Sequence, residues 1–290
     1  MKKISVVIPC YNDEKSIGNM HRRLTEVFEN SLAKYDYEII FVDDHSPDST
    51  WKEITAVCEK DSRCKGVRNA KNFGFSRNVF ACLRDYADGD AVFMLFGDLQ
   101  DPPENLPAFV EKWESGKKVI VGQKLTSREN RLVYGVRTLF YKIMGRFSAV
   151  NQIQHFNGYG LYDREFIDVL RQIDDPMPYL KGIVGEFAMD LEIVNYEQEE
   201  SERGSSNFNF GKYYDVAMQG ITAYTKTFMR IATFIGAFLG IASVIVAIIV
   251  FINKLLHWDT YPIGIPALTV GVFLLGAVIL FFLGIMGEYI

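Results

Sequence analysis

Over the first 121 residues, short β-branched runs alternate with segments of helical apolar spacing. Ile4-Ser5-Val6-Val7-Ile8 is a strand-like run stopped by Pro9. From Glu14 to Phe28 the apolar positions Ile17, Met20, Leu24, Val27 and Phe28 recur at the spacing of one helix face. Tyr37 to Val42 reads as a second buried strand that ends at Asp43-Asp44, after which Ser49 or Thr50 caps a helix through Val57. Lys65-Gly66-Val67 is a third strand, Ser76 to Tyr86 a helix, and Ala91 to Phe96 a fourth strand ending at Gly97-Asp98. Pro102-Pro103-Glu104 opens another helix, with proline in the first turn where a missing N–H costs nothing, and Lys118 to Val121 makes a fifth strand. Such alternation predicts an α/β fold with a mainly parallel sheet and flanking helices. Ligands of these sheets bind at the carboxyl ends of the strands. The polar clusters Tyr11-Asn12-Asp13, Asp43-Asp44 and Asp98 to Asp101 sit at those ends.

The pattern then changes. From Arg128 to Val150 the cations Arg128, Arg131, Arg137, Lys142 and Arg146 are spaced among large apolar residues, and Lys212 to Met229 has the same character. These stretches read either as ordinary surface helices or as helices at a membrane interface, their cations facing headgroups or an acceptor phosphate. Ile231 to Ile252 and Ile263 to Met286 carry no charge. At roughly 22 residues each, these runs reach about 33 Å as helices, enough to cross a bilayer core. Two transmembrane helices are therefore expected. Domain bounds follow as 1–210 for the α/β domain, 211–230 for an interface helix and 231–290 for the hairpin. Lys212, Lys226 and Arg230 precede the first span, against Lys254 alone in the turn, which places both ends in the cytosol and the turn outside.

Composition narrows the class. A net charge of -5 without long basic runs argues against a general nucleic-acid binder. Cys10, Cys58, Cys64 and Cys82 show no paired spacing and fit buried thiols in a reducing compartment. The apolar run before Pro9 is too short for a signal peptide, so a cytosolic domain on a multi-pass inner (plasma) membrane anchor is expected.

Candidate chemistry lies in the strand-end clusters. Asp98 and Gln100 can turn oxygen ligands to one side and grip a hard cation such as Mg²⁺ or Mn²⁺, although an acidic turn is also an ordinary solvated loop. Asp43 and Asp44 can accept hydrogen bonds from a base edge or ribose, or cap a strand end. Tyr11 can stack on a base or pack.

In combination these motifs are more specific. Val6-Val7-Ile8-Pro9-Cys10-Tyr11-Asn12-Asp13-Glu14, Val42-Asp43-Asp44-His45-Ser46-Pro47-Asp48, Asn72-Phe73-Gly74 and Gly97-Asp98-Leu99-Gln100-Asp101-Pro102-Pro103-Glu104 resemble successive motifs of the family 2 glycosyltransferases. They are most similar to the polyprenyl-phosphate branch, and the likeness continues through Gly160-Leu161-Tyr162-Asp163-Arg164, Arg203-Gly204-Ser205-Ser206-Asn207-Phe208 and the two C-terminal apolar runs. The resemblance implies a GT-A-like, Rossmann-like domain and inverting transfer of a sugar, from a UDP-linked donor, to a polyprenyl phosphate at the cytosolic membrane face. Pro9, Tyr11, Asp13, Asp43, Asp44, Asp98, Lys124 and Arg203 would bind the nucleotide sugar. Asp98 and Gln100 would hold Mg²⁺ or Mn²⁺, with Asp98 and Arg203 acting in catalysis. Arg128 and Arg131, three residues apart on one helical face, are the expected acceptor-phosphate pair.

This chain departs from the family pattern at Phe96, where an acid is usual, at Gly122-Gln123-Lys124, where an Arg is usual, and at Ser201 and Asn207. A phosphomonoester acceptor is already anionic, so no general base is required. A hydroxyl acceptor would need one, for which Glu186 and Asp190 are available, and His155 reads as a packed or capping residue. The alternatives are thus a polysaccharide glycosyltransferase of the same fold and a catalytically impaired membrane scaffold. The sugar, the base and any homo-oligomer are left open.

Overall fold

The computed structural model describes residues 1–125, 156–188, 190–199, 227–258 and 264–289. They fall into two compact units, one containing a sheet with its helices and the other containing the two C-terminal helices. In chain order the first unit holds β1 (Lys3–Cys10), α1 (Ile17–Ser31), β2 (Asp36–Asp43), α2 (Thr50–Lys60), β3 (Cys64–Arg68), α3 (Phe75–Asp85) and β4 (Ala91–Met94). A single 3-10 turn (Pro103–Asn105) leads into α4 (Leu106–Glu114), followed by β5 (Val119–Lys124), β6 (Gly160–Asp163), α5 (Arg164–Arg171), α6 (Leu180–Phe187) and β7 (Leu191–Tyr196). The second unit holds α7 (Thr227–Leu256) and α8 (Ile265–Tyr289).

The described strands form one sheet in the order β3-β2-β1-β4-β6-β5-β7. It is parallel except where β6 runs antiparallel to both β4 and β5. Strands in the middle of such a sheet are covered on both faces, which is why β1 and β2 read as unbroken apolar runs. Val6, Ile8, Phe41 and Phe93 face one core with Ile17, Leu24 and Phe28 of α1 and Phe109 of α4. Val7, Ile40 and Met94 face the other with Val79 and Leu83 of α3, Ile167 of α5 and Ile183 of α6. Each such side chain contributes about 1.5–3 kcal/mol on burial.

Three local expectations shift. The fourth strand stops at Met94, because Phe96 turns out of the sheet to stack on Phe75 at 5.7 Å. The Pro-Pro-Glu segment begins as the 3-10 turn, with the α-helix starting only at Leu106. Ser49 stands at the N-cap of α2 without a side-chain cap; Asp48 Oδ1 instead accepts from the amide and hydroxyl of Thr50 at 3.0 and 2.6 Å. All four cysteines are free, three of them buried.

In the second unit, Thr233–Leu256 is long and apolar enough to cross a membrane, whereas the qualifying run in α8 is shorter, Val270–Leu283. The two helices approach closely at Gly236, where an added Cβ would lie 2.6 Å from Phe281 N. Of the expected interface stretches, 128–150 and the 212–226 part of 212–229 lie outside the described residues, while Thr227 to Met229 begin α7.

At the amino end of the sheet, Glu38 is 3% exposed and joins three strands. It accepts from Ser5 Oγ at 2.6 Å and Lys65 Nζ at 2.6 Å, and pairs with Lys3 Nζ at 3.0 Å. Burial alone would raise its carboxyl, but hydrogen bonds from Lys65, Ser5 and Lys3 overcome that and hold it at about 2 against an ordinary 4.5. A lowered folded-state value stabilises above the unfolded one and is lost as pH falls through the folded one. Denaturant unfolding from pH 7 to pH 2 should therefore show a loss on the order of 2 kcal/mol between about pH 4.5 and pH 2. Glu38→Gln should remove that segment of the profile, and an unchanged acid limb in the variant would contradict the assignment.

Candidate functional site

The turns after β1, β2 and β4 converge because their strands are neighbours. Cys10 is in register with Asp43, and its carbonyl accepts from Asp44 N at 2.9 Å, so two chains leave the sheet side by side. Each turn passes through a left-handed non-glycine residue: Asn12 (φ 59), His45 (φ 58) and Leu99 (φ 58). Asn tolerates that region, but for a bulky Leu it is strained, and strain of this kind persists only where surrounding contacts over-determine it.

Those contacts can be named. Asp13 is buried, and its Oδ2 accepts from Tyr11 N at 2.9 Å while its own amide donates to Thr50 Oγ1 at 2.8 Å. The carboxylate lies against Gly97, where a Cβ would come within 2.8 Å of Asp13 Oδ2, so any larger residue there would displace the Asp13 carboxylate. Ser16 Oγ donates to Gly97 O at 2.5 Å, stitching the first turn to the third. Pro9 is buried inside β1 opposite Val42 and shapes the strand end.

Asp43 and Asp44, indistinguishable in the sequence, are held differently. Asp44 Oδ1 accepts from Asn69 Nδ2 at 2.8 Å and Phe73 N at 2.9 Å, and Oδ2 accepts from Gly74 N at 2.9 Å. Its carboxylate therefore organises the Asn72-Phe73-Gly74 loop. Asp43 Oδ1 accepts from Ser46 N at 3.0 Å and Ser46 Oγ at 2.5 Å. Its Oδ2 is buried without a hydrogen bond; Arg68 Nε lies 3.3 Å away, within ion-pair range but outside hydrogen-bond geometry.

In the third turn Asp98 is half-buried, and its Oδ1 accepts from Gln100 N at 3.2 Å. Gln100 Oε1 accepts from Gln198 Nε2 at 3.0 Å, and Gln100 O from Glu199 N at 2.9 Å. Asp101 is 1% exposed and accepts from Tyr196 Oη at 2.5 Å and Asn157 Nδ2 at 2.8 Å. Burial and the Asp101 charge push the Tyr196 hydroxyl far above its ordinary range. Lys124 Nζ is 3.9 Å from Asp101 Oδ1, which brings the one expected strand-end cation to the acidic turn. Arg23 of α1 forks onto both oxygens of Glu104 at 2.7 and 2.5 Å and reaches Glu199 at 3.0 Å, fixing the far side of the turn.

Thus Pro9, Tyr11, Asp13, Asp43, Asp44, Asp98, Gln100 and Lys124 belong to adjoining strand ends. Arg128, Arg131 and Arg203 lie outside the described residues, as do His155, Ser201 and Asn207. Glu186 and Asp190 are exposed. Sequence reasoning missed Asn157, Tyr196 and Arg23, whose partners are distant in the chain, and Ser46, which joins Asp43 three residues before it to Asn12 in another turn. Among the described residues, His21, Asp61 and Cys64 also form a group within 4.8 Å of one another. It lies at the opposite end of β3, and Asp61 is already forked by Arg63 at 2.9 Å through both Nε and Nη2.

Phe96, at the position where an acid was expected, packs between both cores and against Phe75. Phe96→Asp should consequently lower stability by about 2–4 kcal/mol, since it places a charge without a partner in apolar surroundings. Thermal unfolding measures this. A variant as stable as the parent, with tighter Mn²⁺ binding, would show that the position is open to the metal turn.

Comparison with known proteins gives this arrangement its context. Residues 5–184 match the glycosyl transferase family 2. The bactoprenol glucosyl transferase of Shigella phage SfV is 32% identical over 99% of this chain and 93% of its own length. The prophage bactoprenol glucosyl transferase homolog of Escherichia coli (strain K12) is 31% identical over the same shares. Among solved structures, glucosyl-3-phosphoglycerate synthase from Mycobacterium tuberculosis, in complex with Mn²⁺, UDP and phosphoglyceric acid, superposes with a TM-score of 0.52 at 19% identity. That superposition covers 76% of each chain and shows a shared GT-A-like fold. A family match over more than half the chain and relatives alike from end to end agree with the motifs and the sheet: the protein is a glycosyltransferase belonging to glycosyl transferase family 2.

Proposed function

We propose that the protein transfers a sugar, glucose in our reading, from its UDP derivative to a polyprenyl phosphate at the cytosolic face of the membrane, with inversion at the anomeric carbon. One observation carries this reading. The likeness to bactoprenol glucosyl transferases spans 99% of the chain, so it includes the C-terminal helices that would meet a lipid as well as the α/β domain.

The strand-end residues fit a nucleoside diphosphate donor. Tyr11 would stack on the base, Asp43 Oδ2, which makes no hydrogen bond although Arg68 Nε lies 3.3 Å away, would accept an imide N–H, and Asp13 and Asp44 would hold the turns that present these groups. Asp98 and Gln100 offer only oxygen donors, which suits Mg²⁺ or Mn²⁺. With Phe96 packed and Asp101 engaged by Tyr196 and Asn157, Asp98 supplies the carboxylate. A divalent cation there would supply charge neutralisation of the diphosphate. Lys124 and Arg203 would add positive charge at the leaving group.

On the acceptor side, Arg128 and Arg131 would orient the lipid phosphate. One of its oxygens attacks the anomeric carbon from the face opposite the diphosphate. The new carbon–oxygen bond forms as the old one breaks, and the nucleoside diphosphate leaves with the electron pair. Positioning and charge stabilisation suffice, because the phosphomonoester is already deprotonated near neutral pH.

Membranes carrying the protein, given radiolabelled UDP-glucose, polyprenyl phosphate and Mn²⁺, should form a butanol-extractable labelled lipid. Asp98→Asn should reduce the rate by roughly 10²–10³-fold. Turnover near that of the parent would remove Asp98 from the mechanism. Label in a polymer instead of a lipid would favour the hydroxyl-acceptor reading.

We also propose that α7 and α8 both span the bilayer, with the sheet-bearing unit in the cytosol and the turn between them outside. An impermeant thiol reagent should label Asp259→Cys in intact cells and leave Ser205→Cys unlabelled. The reverse pattern would exclude a cytosolic nucleotide-sugar site.

A further inference from the structure

Three groups that can ligate a metal come together away from the strand-end turns. Among the described residues, His21 of α1, Asp61 after α2 and Cys64 at the start of β3 place ligand atoms within 4.8 Å of one another. The group is open to solvent on one side: the His21 side chain is 23% exposed and that of Asp61 11%, beside a buried thiol.

The backbone gathers two of these ligands. Asp61 N donates to Val57 O at 3.1 Å, closing α2, and Cys64 N donates to Asp61 O at 2.9 Å, so carboxylate and thiol share one tight turn. His21, one helical turn after the buried Ile17, reaches across from α1 with its Nε2 3.0 Å from Asp61 Oδ2. That separation is close to the edge of a tetrahedron around Zn²⁺, about 3.3 Å for metal–ligand bonds of about 2.0 Å. The edge to a thiolate is about 3.6 Å, so a closing movement of roughly 1 Å brings in Cys64.

Arg63 supports this arrangement. Its amide and Nε donate to Asp61 Oδ1 and its Nη2 donates to Oδ2, while its guanidinium lies 4.5 Å from the centre of the Tyr37 ring. A carboxylate oxygen accepts from a second partner, and the place that His21 now takes on Oδ2 is the one a cation would share with it. Outer hydrogen bonds of this kind orient carboxylate ligands. Those from Arg63 hold the Asp61 carboxyl well below the usual carboxylate range, so it stays ionised.

We propose that His21, Asp61 and Cys64 form a second metal site, for a thiophilic divalent cation of the Zn²⁺ class, with water in the fourth position. Imidazole and thiolate suit Zn²⁺, whereas the oxygen donors at Asp98 and Gln100 suit Mg²⁺ or Mn²⁺, so the two places select different ions. On binding, the cation takes lone pairs from the neutral imidazole Nε2 and from Oδ2. The Cys64 thiol gives its proton to the buffer, and the metal–sulfur bond forms with the sulfur electron pair. Burial pushes that thiol up to about 12, so the metal must displace its proton. The bound ion would pin α1 to the start of β3.

Cobalt reports such a site, because Co²⁺ adopts the geometry of Zn²⁺ and shows thiolate charge-transfer absorption only with sulfur bound. The full-length protein, reduced and in excess Mg²⁺, should take up Co²⁺ with that absorption and tetrahedral visible bands, and Zn²⁺ should displace it. Cys64→Ser should lose the charge-transfer band, while Cys58→Ser, which removes a neighbouring thiol outside the group, should keep it. His21→Gln, at a partly exposed position, should weaken Co²⁺ binding about 100-fold or more, since even an outer partner of a ligand is worth about 10–100-fold. Thermal unfolding checks that each variant is folded. Absence of the sulfur band in the parent, its loss in Cys58→Ser with retention in Cys64→Ser, or equal Co²⁺ affinity in parent and His21→Gln would each overturn the site.

Discussion

The site depends on one buried carboxylate. Asp101 is enclosed on all sides, accepts from Tyr196 and Asn157, and has Lys124 Nζ 3.9 Å from its Oδ1. These partners come from the end of β7, the approach to β6 and the end of β5, so a single side chain ties three strand connections to the turn after β4. A charge so placed is stable only with its partners in position, which makes the turn rigid. Removing any one of them would leave a buried charge short of a donor.

Rigidity of that turn explains how Leu99 can stay left-handed and why Asp98 and Gln100 present their oxygens from a fixed backbone. The same principle governs the neighbouring turns. Asp13 braces the first against Gly97, and Ser46 braces Asn12 against Asp43. The strain of three left-handed residues is balanced by internal hydrogen bonds.

Much of this was legible in the chain. β1, β2 and the helices that flank them announce themselves, because strands covered on both faces must be continuously apolar. The family motifs fell on the strand ends where ligands bind. What escaped was set by distance. β6 is four residues long and is held by contacts such as Trp113 Nε1 to Asp163 Oδ2 at 2.6 Å, so no local period marks it. Phe96 read as strand because it continues an apolar run, yet it leaves the sheet for Phe75. Asp43 and Asp44 have the same chemistry in sequence; only the structure separates them, Asp44 gathering the Asn72-Phe73-Gly74 loop and Asp43 holding Ser46.

The central claim is that three strand-end turns form one preorganised nucleotide site, and amide hydrogen exchange with and without UDP and Mn²⁺ tests it most directly. Protection should rise together at residues 11–16, 43–49 and 97–101, with little change at the amino end of the sheet around Glu38. Protection confined to a single turn, or appearing instead around His21, Asp61 and Cys64, would contradict the account.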